Sequence, residues 1–469
     1  MTHKQNMWWT FAITSLALFM VTLDNLVVTT AIPVIRRDLH AGISGLEWTV
    51  NAYTLSFAVL LLTGAALGDR FGRRLVFSIG IGIFTLASAA AALAPTIGAL
   101  DAARAVQGLG GAIVMPLTLT ILSSAVPAER RGLALGAWGG ISGLAVAFGP
   151  VVGGAVVNGI SWHWIFWLNV PFGIVLLPLA LRRLDETKGP FGRVDLPGLG
   201  LASAGLFGIV WALVRGNSVG WGTPQIAGSL VAGAVVLGAF VAWELRAEHP
   251  MLPMAFFRDR TFTLANVASL LMSFGMFGSI FLLAQFFQTV QGYSPLGSGL
   301  RILPWTAMPM VVAPIAGALS DRIPAHRIIG TGLALQAIGL AWIAAVSSPT
   351  MPYSDLIVPF ALSGMGMGLF FAPIANVVLS SVRNEQEGQA SGANNAIREL
   401  GGVFGVAILA SVFSHYGGYH TGASFVNGMT PAVYVGAAVV ALGAVASFAI
   451  KRRPREEAVA AEAVLDLAA

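Results

Sequence analysis

The chain has 469 residues, of which 56% are hydrophobic and only 10% charged, and its net charge is +5. That balance excludes a soluble globular domain, in which about 25% of residues are charged, and the short polar interruptions leave no room for a large extramembrane domain. Basic residues in short loops orient a membrane chain, so nucleic acid is excluded as a partner; with no cysteine, disulfides and thiolate ligands are excluded too, and no metal or cofactor is expected.

Apolar runs of the roughly 20 residues that a helix needs to cross the hydrocarbon core recur from Met7 almost to the C-terminus. Their polar breaks predict helices over 7–35, 46–68, 75–94, 96–123, 132–157, 162–181, 196–214, 224–243, 261–290, 297–320, 327–346, 354–380, 392–414 and 429–450. The first run is too long for a signal-peptide core and is read as a retained span. Fourteen spans place both termini on one side. Loops on that side hold twenty of the 26 Lys and Arg residues, whereas the other side holds only Arg36, Arg37, Arg215 and Arg301. The positive-inside rule then makes both termini cytoplasmic.

The chain repeats itself. Asp69-Arg70 after the second helix returns as Asp321-Arg322 after the tenth, an offset of 252 residues. Pro116 returns as Pro373 at an offset of 257, and Gly132 and Gly136 return as Gly388 and Gly392 at 256. The expected fold is therefore all-α and integral to the membrane, with two parallel six-helix bundles, residues 1–181 and 261–450. A linker over 182–260 inserts two further helices, and 451–469 forms a tail. Parallel halves suit alternating access around a site near the midplane.

In the loop after the second helix, Asp69, Arg70, Gly72, Arg73 and Arg74 put an acid at one helix end and cations before the next, with Gly72 allowing the turn. With Asp321 and Arg322, they are gating candidates. Gly149-Pro150 removes a backbone donor within a hydrophobic helix and favours a kink, while Gly136, Gly153 and Gly154 allow close packing; together they describe a pivot. Asp24 lies inside the first helix among apolar neighbours, where an acid is costly unless it functions. Counting about 1.5 Å per residue, Asp24 and Arg104 share one depth, so a pair that changes proximity between states would load and release a proton. Glu47, Asp101 and Asp355, near outer helix ends, are expected to be solvated or capping. Glu399 beside Arg398 suggests an ion pair or inner-gate contact. Met272, Met276, Phe281, Gln285, Gln288, Trp305, Met308 and Phe370 combine repackable apolar groups with orienting amides, as a pocket for varied ligands needs.

The loop Gly68 to Arg74 resembles the signature of the major facilitator superfamily. Arg104 to Gly108 resembles the buried arginine motif of that family, and Gly136, Gly149-Pro150 and Gly153-Gly154 resemble the antiporter motif of its drug exporters. Trp162 to Phe166 with Asn169 to Pro171, and Ser391-Gly392 with Asn394-Asn395, Arg398 and Leu400 to Gly402, resemble the fourteen-helix drug/proton antiporter branch. The resemblance implies export of small lipophilic or cationic compounds, antibiotics among them, in exchange for protons, by a non-enzymatic monomer in the bacterial cytoplasmic membrane. It also implies that Asn25 and Gln107 border the substrate site. A dedicated exporter of one metabolite, lipid or siderophore is the alternative. Leu26, Thr29, Ala65, Ala145, His163 and Glu399 depart from the usual family residues.

Overall fold

A computed structural model describes residues 3–126, 128–188, 195–320, 322–382 and 386–450. Its helices are α1 (His3–Asp38), α2 (Ile43–Phe71), α3 (Arg73–Ala92), α4 (Ile97–Ala125), α5 (Ala128–Gly159), α6 (His163–Trp167), α7 (Asn169–Arg183), α8 (Leu196–Val219) and α9 (Pro224–Glu244). They continue as α10 (Arg260–Thr289), α11 (Pro295–Thr306), α12 (Met308–Leu319), α13 (Ala325–Val346), α14 (Ser354–Ser380), α15 (Glu387–Tyr416) and α16 (Gly422–Phe448). Among the described residues, twelve spans are long and apolar enough to cross a membrane, with α6–α7 and α11–α12 each forming one, and α2 supplies a thirteenth across a 49° bend. The 32-residue α5 takes the remaining place in a series of fourteen. The chain is thus a multi-pass membrane protein.

Local chemistry sets the ends that hydropathy misplaces. Side chains of Thr96, Asp195, Asp259, Ser294 and Thr421 accept from free N–H groups at the starts of α4, α8, α10, α11 and α16. The Thr421 cap starts α16 seven residues before the predicted 429. Two predicted spans are broken where proline has no N–H to give: Pro171 cannot donate to the carbonyl of Trp167, where α6 ends, nor Pro309 to that of Trp305, near the end of α11. Despite Pro150, α5 is continuous.

Within α1–α7, α4 packs on α2 and α3, and α1 packs on α5; α14 on α12 and α13, and α10 on α15, repeat these pairings in the second half. The halves meet where α5 lies along α11, α2 along α15 and α1 against α10. The inserted α8 packs on its hairpin partner α9 but also on both α2 and α15, covering that seam. Leu206, Val210 and Val214 of α8 share one apolar cluster with Leu55 and Val59 of α2 and Val403 and Ala407 of α15. Asn217 at the end of α8 donates to the Ser411 carbonyl and, at 3.1 Å, to its Oγ.

Candidate functional site

Asp24 of α1 and Arg104 of α4 meet inside the first half, Oδ2 to Nη1 at 2.5 Å, and both are fully buried. Asp24 Oδ1 accepts from Gln107 Nε2 at 2.8 Å and from Asn169 Nδ2 at 2.7 Å. Arg104 also donates from Nη1 to Gln107 Oε1 at 2.7 Å and from Nε to the Thr49 carbonyl at 3.1 Å. Its guanidinium carbon stands 4.1 Å from the centroid of the Tyr53 ring. Ser88 closes the set, accepting from Gln107 at 2.7 Å. Five helices, α1, α2, α3, α4 and α7, therefore converge on one carboxylate. Out of water a charge is tolerated only when paired and hydrogen-bonded, and here charge-assisted bonds meet both oxygens.

Gln107, expected at the substrate, is instead wholly engaged in this cluster. Asn25, the next residue along α1, is half-buried. Asn169, which donates to Asp24, and Ser88, which accepts from Gln107 and Asn169 behind it, join the residues expected from the sequence. Ser88 sits in an alanine-rich run with nothing to mark it; Asn169 is marked by the motif Asn169 to Pro171, but nothing in that motif ties it to Asp24.

The halves touch near the ends of α1, α5 and α10, away from the arginine-rich loops; we refer to this as the far end. Gln288 Nε2 of α10 donates to the Thr30 carbonyl of α1 at 2.8 Å. Thr306 Oγ1 of α11 donates to the Ala147 carbonyl of α5 at 3.0 Å. The glycines of α5 divide between two neighbours: a Cβ on Gly149 would lie 2.6 Å from Leu26, and one on Gly153 2.6 Å from the Val27 carbonyl oxygen, both in α1. A Cβ on Gly154 would overlap Pro295 of α11, and one on Gly299 of α11 would overlap the Pro150 carbonyl. Thus α5 is held backbone to backbone by its own half and by the other.

At the basic end, Arg73 Nε pairs with Asp69 Oδ1 at 2.8 Å. Gly72 has φ of 114°, a conformation that glycine adopts freely. Glu186, in the linker, accepts from the N–H groups of Arg74 at 2.9 Å and Leu75 at 3.2 Å, so it caps α3. Arg70 stacks over the Phe71 ring at 5.1 Å, and Arg322 is exposed. Asp321 and the packing around Gly136 lie outside the described residues. Arg398 Nη2 stands 3.5 Å from Glu399 Oε1, and Glu399 is 6% exposed with no partner for Oε2 among the described residues.

Met272, Met276, Phe281, Trp305 and Phe370 all belong to the packed apolar interior in this state. Met308 opens α12 at the break after α11. Gln285 accepts from the Tyr419 hydroxyl and donates to the Phe281 carbonyl at 2.9 Å. Trp305 Nε1, fully buried, has no acceptor among the described residues. Glu47 departs from its expected solvation: it is 2% exposed.

The family description "Major Facilitator Superfamily" matches residues 14–406 and again 266–465. Multidrug resistance protein Stp of Mycobacterium tuberculosis is 37% identical over 407 residues, 86% of this chain and 75% of that protein. The Tetracenomycin C resistance and export protein of Streptomyces glaucescens is 33% identical over 86% of this chain and 75% of its own length. A methylenomycin A resistance protein of Bacillus subtilis is 31% identical, covering 91% of this chain and 92% of its own. Among solved structures, an auto-inhibited POT family peptide transporter superposes with a TM-score of 0.68 at 16% identity, covering 96% of this chain and 98% of that one. A bacterial Spinster homologue gives 0.67 at 16% identity over 95% and 97%. These two establish a shared fold.

Proposed function

The chain belongs to the major facilitator superfamily, and on that premise we propose that it exports small lipophilic or cationic compounds, antibiotics among them, in exchange for protons. The observation that carries this reading is the Asp24 cluster: an acid and a base paired at 2.5 Å deep in the membrane-spanning first half. An intramembrane acid of that kind is a functional site by default, and proton relays are among the roles such acids serve; relatives named for multidrug and antibiotic resistance supply the substrate class.

A proton arriving at Asp24 neutralises the carboxylate and loosens its hold on Arg104, which keeps the Thr49 carbonyl and the Tyr53 ring as partners. The halves then rock about α5, whose glycines touch α1 on one side and α11 on the other. Substrate binds between the halves as their far-end contacts part, against the Met and aromatic groups of α10, α11 and α14. Inward movement of one proton contributes about 2.3 kcal/mol per 100 mV, and no nucleotide is needed. The protein works as a monomer in the bacterial cytoplasmic membrane with both termini in the cytoplasm, which makes the far end the outer one.

A second reading, a dedicated exporter of one compound, is supported by relatives named for a single antibiotic. Efflux from proteoliposomes under an imposed pH gradient separates the two. Transport across a panel of fluorescent lipophilic cations, lost in Asp24→Asn, is expected; no transport of any dye would sink the multidrug reading.

A further inference from the structure

We propose that Glu47 is a second proton site, and that the outer end closes only when Glu47 carries a proton. This rests on the alternating-access reading above. Glu47, Asn51, Leu55 and Val59 follow one another at four-residue steps along α2, so successive members are neighbours on a face that winds about 40° per step. At Leu55 and Val59 that face packs against Val403 and Ala407 of α15, in the other half. One and two turns nearer the outer end, the same face carries Asn51, fully buried with neither amide atom bonded, and Glu47, 2% exposed with Oε2 unpartnered among the described residues.

Across from Glu47 lies the outer closure itself. Arg36, at the end of α1, stacks on the Tyr419 ring of the other half at 3.5 Å. Tyr419 in turn donates to Gln285 of α10. Burial holds the Tyr419 phenol well above its ordinary range, with Arg36 lowering it and Glu47 raising it, which sets Glu47 within electrostatic reach of that ring. The titratable and charged groups that surrounding elements bring to this end are Arg36, Arg37 and Asp38 of α1, His40, Asp101 and Arg104 of α4, Arg215 of α8, His415 of α15, Tyr419 and His420. Asp38 accepts from Trp162, Asp101 from Thr49, and Arg104 is held by Asp24. No ion pair to Glu47 is formed by any of them.

An ionised carboxylate without a partner is not buried at such a seam; it takes a proton or stays in water. In the closed outer end the side chain is therefore a neutral acid, and when the halves part it meets water and ionises. The carboxylate gains its proton from the outer solution on closing and returns it there on opening. Glu47 is thus a gate acid rather than a carrier, and adds nothing to the number of protons moved per cycle. Its effect is that acid outside favours the outer-closed state.

The test needs neither substrate nor gradient. Because the chain has no cysteine, nitroxide labels on Ala99→Cys and Ala423→Cys, both exposed at the outer ends of α4 and α16, report the outer opening by electron–electron distance in nanodiscs. Closing that binds one proton makes the closed-to-open ratio fall up to tenfold per pH unit above the pKa of the open-state carboxyl, about 4.3 for a solvated Glu. Asp24 takes up a proton of its own as the halves rock, so the slope is read in the Asp24→Asn background: we expect it in Asp24→Asn and in Asp24→Asn with Glu47→Asp, and a flat ratio in Asp24→Asn with Glu47→Gln, which mimics the neutral acid. A slope that survives Glu47→Gln in the Asp24→Asn background, or that is missing from Asp24→Asn alone, overturns the proposal. That slope together with an absence of gradient-driven efflux by the wild type would instead overturn the transport reading and leave the gate acid standing.

Discussion

Replacing Arg104 by Gln strips the Asp24 carboxylate of its 2.5 Å partner and leaves it the amides of Gln107 and Asn169. Breaking a buried ion pair from one side costs about 3–5 kcal/mol, because the remaining charge is neither solvated nor neutralised. The same range is expected for Asp24→Asn, which strands the guanidinium between the Thr49 carbonyl, Gln107 and the Tyr53 ring. The double variant removes both charges at once and puts two neutral amides among amide partners, so its loss is expected to be no greater than that of either single change. Unfolding by sodium dodecyl sulfate from mixed micelles, followed by tryptophan fluorescence, measures all four corners of the cycle. If the two single losses simply add, or if each is below about 1 kcal/mol, the pair is not the electrostatic unit described here.

Other positions separate packing from gating. Gly299→Ala drives a methyl into the Pro150 carbonyl, so it should push α11 from α5 and lengthen the outer distance between labels at Ala99→Cys and Ala423→Cys. Gly64→Ala meets the Ala112 carbonyl at 2.5 Å within one half, so a stability loss of about 1–3 kcal/mol is expected with that distance unchanged. Gly72→Ala forces a side chain into a positive φ and toward the Glu186 carboxyl at 2.7 Å; the strain is about 1–3 kcal/mol, and transport should fall more than in Glu186→Gln. Asn217→Ala releases α8 from Ser411 at a cost of about 0.5–1.5 kcal/mol, read by thermal unfolding, with efflux kept.

Much of the architecture is written in one-dimensional quantities. Span length, the bias of Arg and Lys and the offsets near 252–257 specify a many-helix membrane chain with a parallel repeat, because the bilayer imposes a length and a polarity on every segment regardless of its neighbours. Asp24 is legible for the same reason, since an acid amid apolar residues is conspicuous in any fold. Its depth could be counted from the ends of the helix, and so could that of Arg104. Asn169 could not be identified as its partner, nor Ser88 as the acceptor behind Gln107 and Asn169, because which helices lie side by side depends on packing between segments far apart in the chain. Glu47 shows the same limit. Near the start of a span it reads as a solvated acid, and only the packed structure leaves it 2% exposed. Helix 5 motif glycines announce close contact, yet that α1 takes Gly153 while α11 takes Gly154 is decided by the facing of adjacent residues, about 100° apart on a helix, toward two different neighbours. Hydropathy and charge along the chain carry the spans and the acid within them; packing carries which groups share that acid and which acids lose their water, since burial and pairing belong to surfaces brought together and not to any one segment.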